Sequence, residues 1–277
     1  MKKYIKIILA NIFVISLFGC EDVIVVDLNS AAPRIVIEGE VTNNDTLTEV
    51  RITKSTDFYQ PGIYKKVSGA NIVITDNKGN SSTLTEVEDG IYQTDSIKGQ
   101  PEKSYSITVK AEGKTYQAES TMPRQVNLDS LSIELAPSPP GGGEEEKNYF
   151  LHLYFQDPPD IDNYCRFKIF NNGEQLGGFY IYFDKFTNGN KIDYRLVLHA
   201  KPNNIKLGDS LMVELQSIDK ASFDFYKTAN SVNASRTGGR QNSSSVAPAN
   251  PVTNWSNKAL GVFTAYAVSR QSIEVEE

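Results

Sequence analysis

The chain lacks most of the residues and motifs that carry enzyme chemistry. Its 277 residues include two cysteines, two histidines and one tryptophan. No zinc-protease, phosphate-loop, serine-hydrolase or dinucleotide-binding motif is present. The histidines, His152 and His199, lie 47 residues apart on separate predicted strands, and nothing in the sequence singles out a nucleophile for them. We expect a protein that is not an enzyme and needs no cofactor; a hydrolase using one of these histidines is the weaker hypothesis.

Positive charge is also scarce. The chain carries 28 Lys and Arg residues against 34 Asp and Glu, a net charge of −6. Proteins that bind nucleic acid use clustered Lys and Arg to contact phosphates, so the composition excludes a nucleic-acid partner. The acidity suits a solvated surface protein instead.

Hydrophobic runs are too short to cross a bilayer as a helix, which needs about 20 apolar residues. The longest, residues 7–18, follows a lysine-rich start and ends just before a glycine and Cys20. This pattern resembles a bacterial lipoprotein signal. It implies that residues 1–19 are removed and that Cys20 carries diacylglycerol and palmitate, which attach the protein to the membrane. The acidic pair that follows, Glu21 and Asp22, resembles an export signal to the outer surface of the outer membrane.

Disulfides are excluded within the mature chain, because lipidation of Cys20 leaves Cys165 without a partner. Cys165 shares one face of a predicted strand with Phe167 and Ile169, so we expect it to be buried. A reactive thiol is the alternative, but no histidine or second cysteine lies nearby in sequence to activate it.

The sequence does contain many segments in which apolar and polar residues alternate. Between residues 34 and 122 about seven short runs alternate apolar and polar side chains, separated by Asp, Asn and Gly turn signals. This spacing is typical of a β-sandwich. We predict an all-β protein with residues 20–33 as a lipidated tether and residues 34–122 as an immunoglobulin-like β-sandwich.

Residues 123–277 predict a second β-rich domain. Six strand-like runs precede one short helix near residues 219–232, for which Asp219 is a suitable N-cap, and a last strand pattern closes the chain. The intervening residues 233–250 are rich in Gly, Ser and Asn, and a loop of that length is uncommon unless it is functional or disordered.

Five side chains are candidates for contact with a partner or ligand. Residues 179–183 are apolar on both faces, which favours a central strand covered on both sides and leaves open an aromatic binding platform. The only tryptophan flanks the long loop, where it could anchor that loop or contact a ligand. The candidates are Tyr180, Tyr182, Arg236, Arg240 and Trp255.

Three carboxylates in one loop, Asp157, Asp160 and Asp162, are a weak calcium candidate, because Ca²⁺ prefers oxygen ligands. Their spacing fits no EF-hand, and Asp, Pro and Asn are also ordinary turn residues. We therefore expect no bound metal.

Every Asp-Ser or Asp-Thr pair in the chain is followed by Ile or Leu. These triplets resemble the O-glycosylation sequon of extracytoplasmic Bacteroidota proteins. A turn that leads into an apolar strand would produce the same triplets, so both interpretations stay open. The candidate glycosylation sites are Thr46, Ser96, Ser130 and Ser210.

Besides the Cys20 signal, several short patterns follow one another along the chain. They are Pro33-Arg34-Ile35-Val36-Ile37-Glu38-Gly39, Val67-Ser68-Gly69-Ala70-Asn71-Ile72-Val73-Ile74, Gly90-Ile91-Tyr92, Tyr105-Ser106-Ile107-Thr108-Val109, Tyr164-Cys165-Arg166 and Asn254-Trp255-Ser256-Asn257-Lys258-Ala259-Leu260-Gly261-Val262-Phe263. Their order resembles a Bacteroidota family of outer-membrane lipoproteins, domain of unknown function 4249. The family's late segment usually reads closer to Gly-Tyr-Phe than to the Gly-Val-Phe found here.

The resemblance implies an accessory role in nutrient uptake, beside a TonB-dependent transporter barrel as partner. The ligand could be a small molecule, a peptide or a glycan. The alternative is a structural or adhesive, fimbrillin-like subunit of the cell surface, assembled by strand exchange. The resemblance brings no catalytic residues to transfer.

Overall fold

The computed structural model describes residues 32–44, 46–56, 62, 64–137, 148–159, 161–185, 187–199, 203, 205–236 and 250–276. Within them the chain forms sixteen β-strands and one α-helix. The predicted all-β class with a single helix is confirmed.

Eight strands lie before residue 123, one more than the alternation predicted. Their buried and exposed side chains alternate because successive side chains of a strand point to opposite faces. They are β1 (Ile35–Thr42), β2 (Thr48–Lys54), β3 (Asn71–Asp76), β4 (Ser81–Thr83), β5 (Thr85–Glu88), β6 (Ile91–Thr94), β7 (Ser104–Ala111) and β8 (Lys114–Thr121).

Eight more strands and the helix follow. The alternation predicts strands at residues 128–135 and 210–218, which are the bounds of β9 and β15, and a last strand at 262–268, whereas β16 continues six residues further. The elements are β9 (Leu128–Leu135), β10 (Asn148–Gln156), β11 (Tyr164–Asn171), β12 (Glu174–Gln175), β13 (Tyr180–Phe183), β14 (Lys191–His199), β15 (Ser210–Ile218), α1 (Lys220–Arg236) and β16 (Phe263–Glu274).

The strands form two sandwiches that share one sheet. A nine-stranded sheet has the order β12-β11-β15-β16-β1-β2-β6-β5, with β13 also paired to β11. Its β1-β2-β6-β5 part faces the four-stranded sheet β4-β3-β7-β8 across a first hydrophobic core. Its β12-β11-β15-β16 part faces the three-stranded sheet β14-β10-β9 across a second core. The expected β-sandwich architecture is therefore present.

Strand β16 contributes to both cores. Its first residues pair in parallel with β1, with Gly39 opposite Phe263, and its remaining residues pair antiparallel with β15. Phe263 lies in the first core, whereas Ile273 packs on the second. Between them Ser269 accepts a hydrogen bond from the backbone N–H of Leu128 at 3.0 Å, which joins β9 to the same strand.

The predicted boundary between residues 122 and 123 falls between β8 and β9. The first core also contains late residues, Trp255, Ala259 and Phe263 among them. Contacts group Pro33–Glu277 into one compact unit. The first sandwich is therefore built from two distant parts of the chain, whereas the residues of the second core all lie between Val126 and Val275.

Helix α1 begins where the sequence predicted. The side chain of Asp219 accepts a hydrogen bond from the N–H of Ser222 at 2.8 Å, which is N-cap geometry. The other carboxylate oxygen accepts bonds from the hydroxyl of Ser120 at 2.6 Å and from the N–H of Thr121 at 3.1 Å. Asp219 therefore caps the helix and ties it to β8.

We expect Asp219→Ala to lower the free energy of unfolding by about 2 to 3 kcal/mol, because the substitution removes the cap and both bonds to β8. Urea denaturation measures the change. Asp224→Ala is the matched control in the same helix: Asp224 forms an exposed ion pair with Lys220, so its loss should cost less than about 0.5 kcal/mol. Equal costs for the two substitutions would contradict this role.

Candidate functional site

The aromatic strand singled out by the sequence, β13, pairs with β11 alone among the described strands and so lies at a sheet edge. The prediction of a central strand is wrong, because β13 has four residues and no second neighbour. Both of its faces are nevertheless covered, as the alternation indicated. Tyr180 and Tyr182 are half-buried against the second core, where Tyr182 stands edge-on to Phe155 with 5.4 Å between ring centroids. The opposite face packs against α1 through Phe179, Ile181 and Phe183.

Trp255 anchors the segment that leads into β16. Its side chain is 5% exposed, and its ring lies 6.2 Å from that of Phe263 in the first core. This position corrects the view of Trp255 as a contact surface, because packing holds its ring away from solvent. Arg236 is the last residue of α1. The predicted residues outside the described part of the chain are Cys20, Glu21, Asp22, Asp160 and Arg240.

The three carboxylates of the calcium candidate do not converge. Asp157 is fully buried, Asp162 is exposed, and Asp160 lies outside the described residues. Instead, Asp184 lies beside Asp157. Burial raises the pKa of Asp157, the hydrogen bond from the N–H of Gly189 lowers it, and the charge of Asp184 raises it again. No group of three or more His, Cys, Asp or Glu side chains in the described residues is placed to hold a metal.

The four candidate glycosylation sites are all exposed: Thr46, Ser96, Ser130 and Ser210. Ser130 lies in β9 and Ser210 begins β15, and each precedes a leucine that packs inward. Ser210 fits a turn that leads into an apolar strand, whereas Asp129 and Ser130 already lie within β9. Both positions also fit a modified surface serine, so glycosylation stays a prediction.

The most distinctive exposed surface is the outer face of the three-stranded sheet, on the side away from the second core. Its middle strand, β10, presents Phe150, His152 and Tyr154 there, which we call the aromatic stripe. The His152 ring stacks on Tyr154 with 6.0 Å between centroids and 16° between planes. The guanidinium of Arg195 lies 4.5 Å above the Phe150 ring. Stacking and cation–π contact therefore hold the stripe in one arrangement.

Polar groups from the two neighbouring strands flank the stripe. His152 Nδ1 lies 2.7 Å from a carboxylate oxygen of Asp193, and its Nε2 lies 3.7 Å from Glu134. The hydroxyl of Ser132 bonds the Tyr154 hydroxyl at 3.2 Å. Because Ser132 bonds tyrosine rather than histidine, these residues form no nucleophile–base pair.

The sequence indicated part of this surface. Alternation along the predicted strand puts His152 on one face with Phe150 and Tyr154, which favours a half-buried strand residue over a metal ligand, and His152 is half-buried in the structure. The stripe was missed as a binding surface because both faces of β10 are apolar or aromatic: Tyr149, Leu151, Leu153 and Phe155 fill the second core. His199, at the end of β14, bonds the side chain of Asn148 at 3.0 Å.

A charged cluster lies on the outer face of the nine-stranded sheet, beneath α1. Arg166 is 8% exposed; its guanidinium donates to the Tyr226 hydroxyl at 2.8 Å and lies 3.7 Å from Glu40. Glu40 also accepts a hydrogen bond from the Tyr266 hydroxyl at 3.1 Å and lies 3.5 Å from the ammonium of Lys168. The opposite charges of this cluster are thus paired with one another. The cluster attaches α1 to the sheet and offers no free binding site.

A cavity of about 550 Å³ lies beside the β11–β12 hairpin. Bonds from the Asn172 side chain and the N–H of Lys206 hold the pKa of Asp209 below its usual range. The side-chain oxygen of Asn171 has no partner among the described residues. With mostly polar walls that bond one another, the cavity lacks the apolar lining of a ligand pocket.

Comparison with known protein families identifies the family of this chain. The family described as "Domain of unknown function (DUF4249)" matches residues 21–272. The chain belongs to this family. No curated protein matches this chain. No helix in the described part of the chain is long and apolar enough to cross a membrane.

Two solved structures are similar to parts of the chain. A two-domain fibronectin type III segment of chicken tenascin matches at 13% identity and a TM-score of 0.21, covering 67% of this chain and 91% of that one. The BSP domain of a biofilm-associated protein matches at 12% identity and a TM-score of 0.20; it covers 67% of this chain, which spans about a quarter (26%) of that protein.

Cys165 is buried, as the sequence predicted. It is 1% exposed and unpaired, and burial raises the pKa of its thiol, with further contributions from Asp157 and Asp184. The thiolate is the reactive form of cysteine, so a buried, protonated thiol is inert.

We expect Cys165 to resist Ellman's reagent at pH 8 in the folded protein and to react fully after unfolding in urea. Using a Cys20→Ser variant leaves Cys165 as the single thiol in the chain. Release of thionitrobenzoate measures the reaction. Rapid labelling of the folded protein at about the rate of free cysteine would contradict the burial.

Proposed function

We propose that this chain is a lipoprotein of the Bacteroidota outer membrane that docks on a TonB-dependent transporter through the aromatic stripe. The lipobox-like residues before Cys20 and the acidic pair Glu21 and Asp22 support the anchor and its outer-surface location. Membership of DUF4249 agrees with the family resemblance from which the transporter partner is inferred. The single observation that carries the docking surface is the partly exposed aromatic stripe on the outer face of the three-stranded sheet.

The open face of a sheet suits a protein partner better than a small ligand. Pockets that hold small molecules are concave and enclose most of the ligand surface. Protein interfaces instead combine an aromatic centre with a polar rim. The stripe supplies such a centre, and the polar rim comes from the exposed side chains Glu134, Lys191, Asp193 and Arg195.

The proposed anchor keeps this face within reach of a barrel in the same membrane. The 14 residues of the tether, residues 20–33, extend to about 50 Å at most. Confinement to one membrane surface raises the effective concentration of the partners, so a modest interface suffices for association.

A second candidate, the adhesive subunit joined by strand exchange, has one observation in its favour. Strand β14 pairs only with β10 among the described strands, which leaves its nine-residue outer edge open to an added strand. SDS-resistant ladders of this protein in native membranes would favour that candidate over docking.

We expect Cys20→Ala to abolish incorporation of labelled palmitate and to release the protein from the membrane, because the thioether of Cys20 is the proposed site of lipid attachment. Gel autoradiography after metabolic labelling measures the lipid, and cell fractionation measures the location. Cys165→Ala is the matched control and should keep both signals. Continued labelling of Cys20→Ala would exclude this anchor.

We expect the double substitution Phe150→Ala and Tyr154→Ala to lower recovery of the transporter from solubilised outer membranes by about tenfold or more, because aromatic side chains at the centre of an interface carry much of its binding energy. Pull-down with quantitative mass spectrometry measures recovery.

The control pair is Leu47→Ala with Val87→Ala, which removes two apolar side chains that are 50% and 52% exposed on the first sandwich. Recovery with that pair should stay unchanged, and both double variants should keep the parent's circular dichroism spectrum. Equal recovery with the stripe variant and the parent would place docking elsewhere.

A further inference from the structure

Two buried carboxylates next to the second core each have an oxygen without a partner. Asp157 is 0% exposed and Asp184 is 1% exposed. Neither Asp157 Oδ1 nor Asp184 Oδ1 has a hydrogen-bond partner among the described residues. A buried charged oxygen without a partner is costly, and native proteins seldom keep one. The pair therefore calls for a positive group that satisfies both oxygens.

The remaining oxygen of each carboxylate is held by the loops around it. Asp157 Oδ2 accepts a bond from the N–H of Gly189 at 2.8 Å. Asp184 Oδ2 accepts bonds from the N–H of Asn163 at 3.0 Å and from its side-chain amide at 3.2 Å. These bonds hold one oxygen of each carboxylate and leave each Oδ1 without a donor, and the two carboxylates lie close enough to act on one another.

None of the ion pairs found between described side chains includes Asp157 or Asp184. A bound metal ion, or a proton shared by the two carboxylates, would neutralise the pair.

Other oxygens lie in the same two loops. The side-chain amide of Asn163 donates to the carbonyl oxygen of Pro158 at 3.2 Å and to that of Ile161 at 2.8 Å, as well as to Asp184. The hydroxyl of Thr187 donates to the Asp184 carbonyl oxygen at 3.3 Å. The loops thus contain carboxylate, carbonyl and hydroxyl oxygens, and burial keeps the nearby Cys165 thiol protonated.

Two loops at one end of the sandwich build this arrangement. One follows β10 and contains Asp157, and the other follows β13 and contains Asp184. They are joined by the bonds from Asp157 N to Asn190 O at 3.0 Å and from Asp184 N to Asn163 O at 3.4 Å. An ion held between them would cross-link the ends of β10, β11, β13 and β14.

We propose that Asp157 and Asp184 bind one calcium ion between these two loops. Ca²⁺ takes six to eight oxygens in flexible geometry and accepts a mixture of carboxylates, carbonyls and water, which matches the oxygens present. Two carboxylates balance its charge. The site differs from the calcium candidate of the sequence, since Asp184 replaces the exposed Asp162.

The test uses the full chain in detergent, stripped with EGTA and then titrated with CaCl₂ by calorimetry and thermal unfolding. We expect one Ca²⁺ per chain and a rise of about 5 to 10 °C in the unfolding midpoint at saturating calcium. MgCl₂ should give a smaller rise, because Mg²⁺ demands stricter octahedral geometry.

Asp157→Asn and Asp184→Asn should each abolish calcium binding and the calcium-dependent rise. Asp209→Asn is the matched control, since Asp209 also holds a loop but is satisfied by Asn171, Asn172 and Lys206. That variant should respond to calcium like the parent.

If the Asn variants fail to fold, terbium luminescence of the unsubstituted chain still decides the matter. Tyr182 lies close enough to both carboxylates for their charges to act on its hydroxyl, so it should sensitise bound Tb³⁺, and Tyr182→Phe should weaken the emission. The proposal is overturned if millimolar calcium neither binds nor shifts the midpoint, or if the two Asn variants bind calcium as tightly as the parent. The pair would then share a proton.

Discussion

The parallel pairing of β16 with β1 is the interaction on which both cores depend. Two glycines allow the close approach of the chain that this pairing requires. A Cβ at Gly39 would come within 3.0 Å of the Phe263 ring, and a Cβ at Gly261, where φ is +91°, would lie 2.1 Å from the carbonyl oxygen of Ile37. The two backbones can therefore approach closely, and the carbonyl oxygen of Leu260 accepts a hydrogen bond from the N–H of Ile37 at 2.9 Å. Beyond this contact β16 continues from the first core into the second.

The shared sheet also separates the outer surfaces of the molecule into two kinds. Beneath α1 its outer face carries charges that are buried and paired, with Arg166 held between Tyr226 and Glu40. That arrangement favours a fixed helix position over binding. The outer face of the three-stranded sheet has no described helix against it, and there the aromatic stripe meets solvent. The second sandwich thus has one outer face that α1 covers and one outer face that is open to solvent.

Most strands could be predicted from the sequence because alternation and turn residues are local signals. Strand order could not, since nothing local to Phe263 indicates that it pairs with Gly39, more than 200 positions earlier. The same limit applies to the sites. Asp157 was noticed among its sequence neighbours, whereas its spatial partner Asp184 lies 27 residues away. The aromatic residues of β13 were noticed and proved to be covered; those of β10 were taken as ordinary strand residues.

The long sequence separation between β1 and β16 has a consequence for folding during synthesis. The first sandwich contains strands that are complete by residue 121, yet its core remains unfilled until Phe263 and Ala267 arrive. Such long-range contacts slow folding, because a large loop must close before they form. Until that segment has been made, the N–H groups of Ile37 and Gly39 lack their acceptors Leu260 and Val262, and one edge of β1 stays unpaired.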